Sequence, residues 1–434
     1  MESLDQSAFH VGRRCPRRLW FASHEGSRRT GHPAAVGKRE EVLAAAMALL
    51  PEASPATAEW QGLSVRIDLL QPEEGGHRLI KVLAGTKPRG RHWEDLALQV
   101  RVAQGAGIAL TRAGVLLLNR KHRMGQEGPE LFKWIERETR CDPLPLRDGL
   151  LAMCAADAPP AAERGPPCRV PRRCPWWSRC HPEEGPTDIA RIPGCAALAE
   201  RLAAQGVTQV SELPPDLRLS VLQQRAVRCL LSGQDEVVEG LAERLPPIEG
   251  VHYLDFEAWN PALPRFPGTS PYATLPVQWS LHSASGEHAE WLHREHTDPR
   301  APFLSSLQQA VSTLEGPILT WSPFEERMLR SLGDTVVAPR IVDLQAIVMR
   351  LYYHPGFGPA FSLKRVLSVL CPGEGYTDLD IQDGGTATVL YQRMLEGDSA
   401  LARSLLDYCE RDTWALMRVH QALAQRCEDK LAGC

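Results

Sequence analysis

The sequence predicts an α/β protein in two parts with a helical stretch between them. Three observations predict it. Residues 1–150 mix strand-like and helix-like runs. Residues 155–190 turn rich in Pro, Arg and Cys and lose periodic pattern. Residues 251–427 begin with three strand-like runs and then alternate strand and helix, the pattern of a sheet with helices on its faces. A chain of 434 residues suits two or three domains of ordinary size. Apolar residues make up 43% and charged residues 24%, as in a globular protein. The net charge of −4 excludes a wholly basic coat for nucleic acid. Basic patches are local: Arg13, Arg14, Arg17 and Arg18, then Arg164, Arg169, Arg172, Arg173 and Arg179. No apolar run reaches the ~18 residues of a membrane span. The first twenty residues lack the apolar core of a secretory leader, so the expected location is the cytoplasm.

Taken in order, "REEVLAAAMALL" (39–50) has helical composition. "LSVRIDLLQ" (63–71), a turn at "EEGG" and "HRLIKVLAG" (77–85) read as a hairpin. "WEDLALQVRVAQGAG" (93–107) is a helix closed by Gly, and "AGVLLLNRK" (113–121) a strand, giving the order strand, strand, helix, strand. Helices are expected at "CAALAERLAAQG", "SELPPDLRLSVLQQRAVRCLLSG" and "EVVEGLAERL", with a break at "LPPIEG". Strands follow at "VHYLDFEA", "PVQWSLHSAS", "HAEWLHRE" and "PILTWS" (317–322). The helices between and after them are "APFLSSLQQAVSTLE", "PFEERMLRSLG", "RIVDLQAIVMRLYY", "FSLKRVLSVL", "TATVLYQRMLEG" and the long run ending in "ALAQRC". The expected segments are 1–185, 186–248 and 249–434.

Two carboxylates in "VHYLDFEAWN" carry the chemistry. Asp255 and Glu257 are two apart on a strand, so they share one face. Like charges so placed repel unless a cation sits between them. Further acids stand at element ends: Glu325, with Glu326 beside it, at a helix start, and Asp412 within a helix. Tyr408 lies four residues before Asp412, on the same helix face. Taken singly, Glu325 fits a helix cap and Asp412 a solvated helix residue. Together they suit a pair of divalent ions, which take oxygen ligands. Asp343 reads as structural.

Asp-x-Glu on a first strand, an acid heading a helix and Tyr-x-x-x-Asp on a late helix resemble the DEDD exonucleases, which have ribonuclease H-like folds. The tyrosine variant is implied, since the histidine variant would need His where this chain has Asp407. Glu325 departs from the Asp usual at that motif. "YLDFEAWNPALPRFPGTSPYATLPVQWSLH", "FSLKRVL", "YTDL" and "YCERDT" resemble a bacterial family of unknown function, in which such a domain follows a RecB-like iron–sulfur nuclease region. The resemblance implies that Asp255, Glu257, Glu325 and Asp412 bind two Mg²⁺ or Mn²⁺ ions and that Tyr408 positions water.

"CRVPRRCPWWSRC" places Cys168, Cys174 and Cys180 at Cys-x5-Cys-x5-Cys in a loop without apolar periodicity. Three thiols there imply a metal centre, and Cys15 in "GRRCPRRLW" is the best fourth ligand. Zinc would accept four cysteines, but its usual close pairs are absent. Arginines beside the thiols are expected to lower their pKa. The spacing resembles that of RecB-like and CRISPR-associated exonucleases, which implies a structural [4Fe–4S] cluster. That family also implies a PD-(D/E)xK nuclease core. Asp68 in "VRIDLL" matches, but Lys81 stands where Glu is needed and Leu83 where Lys is needed, with Gln99 on the next helix. Glu94 or Asp95 could replace the lost acid only by migration. The first region therefore reads as an inactive nuclease fold kept for binding nucleic acid. The expected function is a metal-dependent 3′→5′ exonuclease acting on DNA with a free end. The alternative is an inactive iron–sulfur scaffold binding nucleic acid in repair or phage defence.

Overall fold

The structure is a computed structural model that describes residues 3–26, 33–169, 173–181 and 185–432. Arg172 lies outside the described residues. The chain divides into two compact α/β units, each built from separated segments. The first comprises Met1–Glu163, Arg173–Pro182 and Asn260–Ala273. The second comprises Arg164–Arg172, Glu183–Trp259 and Thr274–Cys434.

The first unit runs β1 (Leu4–Asp5), α1 (Gln6–Arg14), α2 (Pro16–Glu25), α3 (Pro33–Leu49), β2 (Ser54–Trp60), β3 (Leu63–Glu73), β4 (Gly76–Leu83), α4 (Gly90–Gly105), β5 (Leu110–Leu118), β6 (Phe132–Glu136), α5 (Leu144–Cys154) and α6 (Trp177–Cys180). The predicted order strand, strand, helix, strand is β3, β4, α4, β5, and the flanking β2 and β6 add to it. The sheet order is β1-β3-β4-β5-β6 with β2 also on β3; β4 and β5 are parallel. Strand alternation sends Leu79 and Leu83 of β4 toward Leu96, Leu98 and Val102 of α4. Ile80 and Val82 pack on the other face with Val42 and Ala46 of α3. Ala262, Leu263 and Tyr272 join that second cluster, and the Tyr272 hydroxyl donates to the Ala84 carbonyl at 2.9 Å.

The second unit begins with α7 (Ala196–Ala203), α8 (Val221–Ser232), β7 (Glu236–Val237) and α9 (Leu241–Arg244). The helix expected over "SELPPDLRLSVLQQRAVRCLLSG" is confined to α8. Ser220 caps its first turn and exchanges bonds with Gln223, while Pro214 and Pro215 upstream cannot extend it. "EVVEGLAERL" is not one helix: Gly240, at φ +87°, separates β7 from α9.

Next come β8 (His252–Trp259), β9 (Leu275–His282), β10 (His288–Leu292), α10 (Arg300–Ala310), β11 (Ile318–Thr320), α11 (Phe324–Ser331), β12 (Ile341–Asp343), α12 (Leu344–Leu351), β13 (Tyr352–Tyr353), α13 (Leu363–Leu370), α14 (Gly384–Leu395) and α15 (Leu401–Ala432). "RIVDLQAIVMRLYY", expected as a helix, is strand, helix and strand. Ile341 and Val342 pair with β11, and Asp343 then caps α12 by accepting the Ala346 N–H at 3.0 Å.

The main sheet has order β10-β9-β8-β11-β12. β8, β9 and β10 are antiparallel; β8, β11 and β12 are parallel. One face buries Leu254, Phe256, Trp279 and Leu281 against Phe303, Leu307, Met328 and Leu329. Alternation leaves Tyr253, Asp255 and Glu257, with Gln278, Ser280 and His282, on the opposite face. Helix α15 lies along that polar face, tied by hydrogen bonds from Gln278 Nε2 to the Leu405 carbonyl (2.9 Å), between Ser280 Oγ and Thr413 Oγ1 (2.9 Å) and between Tyr253 and His420 Nδ1 (3.0 Å). Among the described residues no helix is long and apolar enough to cross a membrane.

Candidate metal centre

β8 and α15 together build the centre. One carboxylate oxygen from each of Asp255, Glu257 and Asp412 lies within 4.8 Å of the other two. Asp412 is buried, and Asp255 and Glu257 are partly buried as whole residues. Glu325, on the first turn of α11, is buried but stands outside this triad; its Oε2 accepts the Ser322 hydroxyl at 3.3 Å. Asp343 is occupied as the cap of α12.

The acids are poorly compensated. Burial raises Asp255 well above its ordinary range, and the charges of Asp412, Glu325 and Glu257 raise it further. Burial and Asp412 push Glu257 up to about 8 against the opposing pull of Lys364. Burial pushes Glu325 up to about 7. Asp412 is raised by burial, and Tyr376, Lys364 and Tyr408 offset part of the effect. A pocket of this kind favours either protons or added cations.

The surroundings of Tyr408 include three groups without a pattern in the sequence. The Lys364 ammonium donates to the Tyr408 hydroxyl at 2.9 Å and to the Gln382 carbonyl. It lies 4.3 Å from the ring centre of Tyr376 and 4.4 Å from that of Tyr408, a cation–π arrangement with both rings. The Tyr376 hydroxyl donates to Asp412 Oδ1 at 2.5 Å. Cys409, fully buried, sets its thiol 3.6 Å from Asp255 Oδ2. Lys364 and Tyr376 fall in "FSLKRVL" and "YTDL", stretches of the family resemblance to which no role attached. Cys409 is visible only as the residue between Tyr408 and Glu410.

The region of Asp68, Lys81, Leu83 and Gln99 is organised differently. Asp68 accepts from Arg39 at 2.6 Å and from the Val82 N–H at 3.0 Å. Lys81 is buried and ion-paired with Asp95, which also bonds His10 at 2.9 Å and Gln6. Burial alone would raise Asp95, but His10, Lys81 and Gln6 reverse this and hold it below the usual carboxylate range. Gln99 donates to the Arg66 carbonyl at 2.7 Å, and Leu83 is core. Asp95 thus neutralises Lys81.

Cys174 and Cys180 pack against the aromatic cluster of Trp20, Phe21 and Trp176 in the first unit. Cys15 feels the charge of both thiols. Its pKa is raised, chiefly by burial and then by Cys174 and Cys180, against the expectation that neighbouring arginines would lower it; Arg18 opposes the rise without reversing it. Cys168 belongs to the segment Arg164–Arg172 of the second unit.

A domain family described as Domain of unknown function (DUF2779) matches residues 252–362, which include Asp255, Glu257 and Glu325 and end before Lys364, Tyr408 and Asp412. No curated protein matches the sequence. Among solved structures, the family B DNA polymerase from the hyperthermophilic archaeon Pyrobaculum calidifontis is similar at 17% identity and TM-score 0.30, over 42% of this chain. The match spans only 24% of the polymerase chain. The crystal structure of SSO0001 is similar at 11% identity and TM-score 0.23, over 37% of this chain and 79% of that one. Likeness at this level carries no chemistry across, so the function is read from the acids themselves and the groups that touch them.

Proposed function

We propose that residues 249–434 form a ribonuclease H-like, DEDD-type exonuclease domain that hydrolyses phosphodiester bonds in nucleic acid. The observation that carries the reading is the convergence of one carboxylate oxygen from each of Asp255, Glu257 and Asp412 within 4.8 Å. The donor set is all carboxylate oxygen, which suits Mg²⁺ or Mn²⁺. Two such ions, when bound, would activate water and stabilise the leaving 3′ oxygen. Asp255, Glu257 and Asp412 would hold them, with Glu325 reaching one directly or through water. Tyr408 would orient the attacking water, its hydroxyl oxygen accepting from Lys364 and its proton donated to the Asp412 carboxylate. Tyr376 holds the Asp412 carboxylate in place. The preferred substrate is DNA with a free end, cut 3′→5′.

We read residues 1–185 as a nuclease-like domain that binds substrate without cutting it, followed by a helical segment at 186–248. The buried Lys81–Asp95 pair supports the loss of that centre. Cys15, Cys174 and Cys180 would be ligands of a structural [4Fe–4S] cluster, a reading supported by the nearness of these three thiols within the first unit. An anaerobic preparation that is colourless and iron-free would refute that assignment. The catalytic reading is tested with end-labelled single-stranded DNA and Mg²⁺ or Mn²⁺, comparing wild type with Asp255→Ala. Metal-dependent shortening by wild type alone is expected; intact DNA after incubation with wild type would overturn it.

A further inference from the structure

We propose that His282, His288 and Glu410 form a second divalent-metal site, of a chemistry suited to Zn²⁺, which pins the β9–β10 hairpin to α15. One imidazole nitrogen from each histidine and one Glu410 carboxylate oxygen lie within 4.8 Å of one another. The two histidines are directly opposite across the antiparallel pair, and their rings stand 4.6 Å apart. Directly paired residues share a sheet face, so both rings meet α15, which supplies Glu410.

The hydrogen bonds around the rings leave a lone pair on each. Thr413 Oγ1 donates to the Glu410 backbone carbonyl at 2.9 Å, because a carbonyl can only accept. With that proton so placed, its oxygen accepts from His282 Nδ1–H (2.8 Å) and from the Ser280 hydroxyl (2.9 Å). With its single proton spent, Ser280 accepts from His288 Nε2–H at 2.9 Å. In the neutral form of each ring this pattern puts the lone pair on His282 Nε2 and on His288 Nδ1. A second nitrogen held by a hydroxyl is the outer support that metal-binding histidines need. His288 Nδ1 lies 3.7 Å from Glu410 Oε1, too far for a hydrogen bond. It is close to the ~3.3 Å between neighbouring ligands around a tetrahedral zinc with ~2.0 Å bonds. Glu410 Oε2 is turned to Arg403 at 3.3 Å, which leaves Oε1 for the ion. Two imidazoles and one carboxylate, with water in the fourth position, are a zinc donor set; the oxygen-only triad at Asp255 is not.

The test uses metal-stripped full-length protein with Mg²⁺ in excess, titrated with Co²⁺ and then competed with Zn²⁺. The expected signal is a visible d–d band of tetrahedral Co²⁺ lacking the thiolate charge-transfer band of a cysteine site, and bleached by one equivalent of Zn²⁺. His288→Ala and Glu410→Gln, both at partly exposed side chains, should lose the band. Asp255→Ala and Cys174→Ser should keep it. Ser280→Ala should weaken Co²⁺ binding by about 10–100-fold, the scale of removing an outer-shell partner. No band in wild type, or a band unchanged in His288→Ala or in Glu410→Gln, overturns the assignment. The readout is independent of DNA cleavage, so failure of either proposal leaves the other standing.

Discussion

The carboxylates around Lys81 in the first unit and around Asp255 in the second stand in opposite electrostatic conditions. At the first, two acids each have a cation: Asp68 has Arg39, and Asp95 has Lys81. At the second, Asp255, Glu257 and Asp412 crowd together, and their pKa values rise where that of Asp95 falls, with Lys364 offsetting part of the rise at Glu257 and Asp412. On the reading proposed above, the difference separates a retired centre from a working one. A protein that no longer binds metal can resolve buried charge internally with lysine and arginine. One that binds metal must leave the charge unresolved, at a cost in stability, until the ion arrives.

That contrast is broken most sharply by exchanging the residue that should matter for one that should not. Asp255→Asn is expected to lower the cleavage rate by about 10³-fold, the scale of losing preorganised electrostatic stabilisation, while Asp68→Asn leaves the rate per folded molecule unchanged. Equal losses in the two variants would erase the distinction. Lys81→Ala tests the other side. It strands Asp95 in a buried place with only His10 and Gln6, so unfolding by denaturant should show a loss of about 2–3 kcal/mol, below the full scale for a deeply buried pair because Asp95 is partly exposed. Cleavage by the folded fraction should not change.

Lys364→Met removes the donor to Tyr408 and should reduce kcat by about 10–100-fold with little change in KM, with Lys364→Arg recovering part of it. An unchanged kcat would assign Lys364 to structure alone. The smallest expected effect is on the pH dependence of the metal-free protein. Glu257 and Glu325 have folded pKa values raised to about 8 and about 7, so their favourable contribution is complete at acid pH and is lost as pH rises through that window. Tm without metal should fall by a few degrees between pH 6 and pH 9, and Mn²⁺ should restore it at the upper end, where the acids are ionised, for wild type and not for Asp255→Asn. A flat profile would place the carboxylates in better compensation than their surroundings indicate.

Much of the centre was legible because it rests on two short periodicities. A strand period of two puts Asp255 and Glu257 on one face, and helical spacing puts Tyr408 and Asp412 on another. Lys364, Tyr376 and the His282–His288 pair were not legible, because they meet through tertiary approach. Lys364 and Tyr408 are 44 residues apart in sequence, and the facing of His288 with His282 depends on the register set by the intervening turn. Strand β12 was not legible because two β-forming residues, Ile341 and Val342, run directly into a helix-forming stretch, and the boundary is marked only by the Asp343 cap. Strand β2, "SPATAEW", combines Pro and Ala with little β preference and exists because β3 offers it a pairing edge.

The segment Asn260–Ala273 leaves β8 immediately after Trp259 yet belongs to the first unit's core. A fragment cut from the gene at residue 185 would therefore lack Ala262, Leu263 and Tyr272, and would bare the apolar surface they cover near Val82 and Phe132. Such a fragment would be prone to aggregate, and poor yield would say nothing about whether the natural unit is well folded. A dissection that respects the molecule must carry that strip along, either by grafting it through a linker or by leaving the chain whole and inactivating one centre at a time.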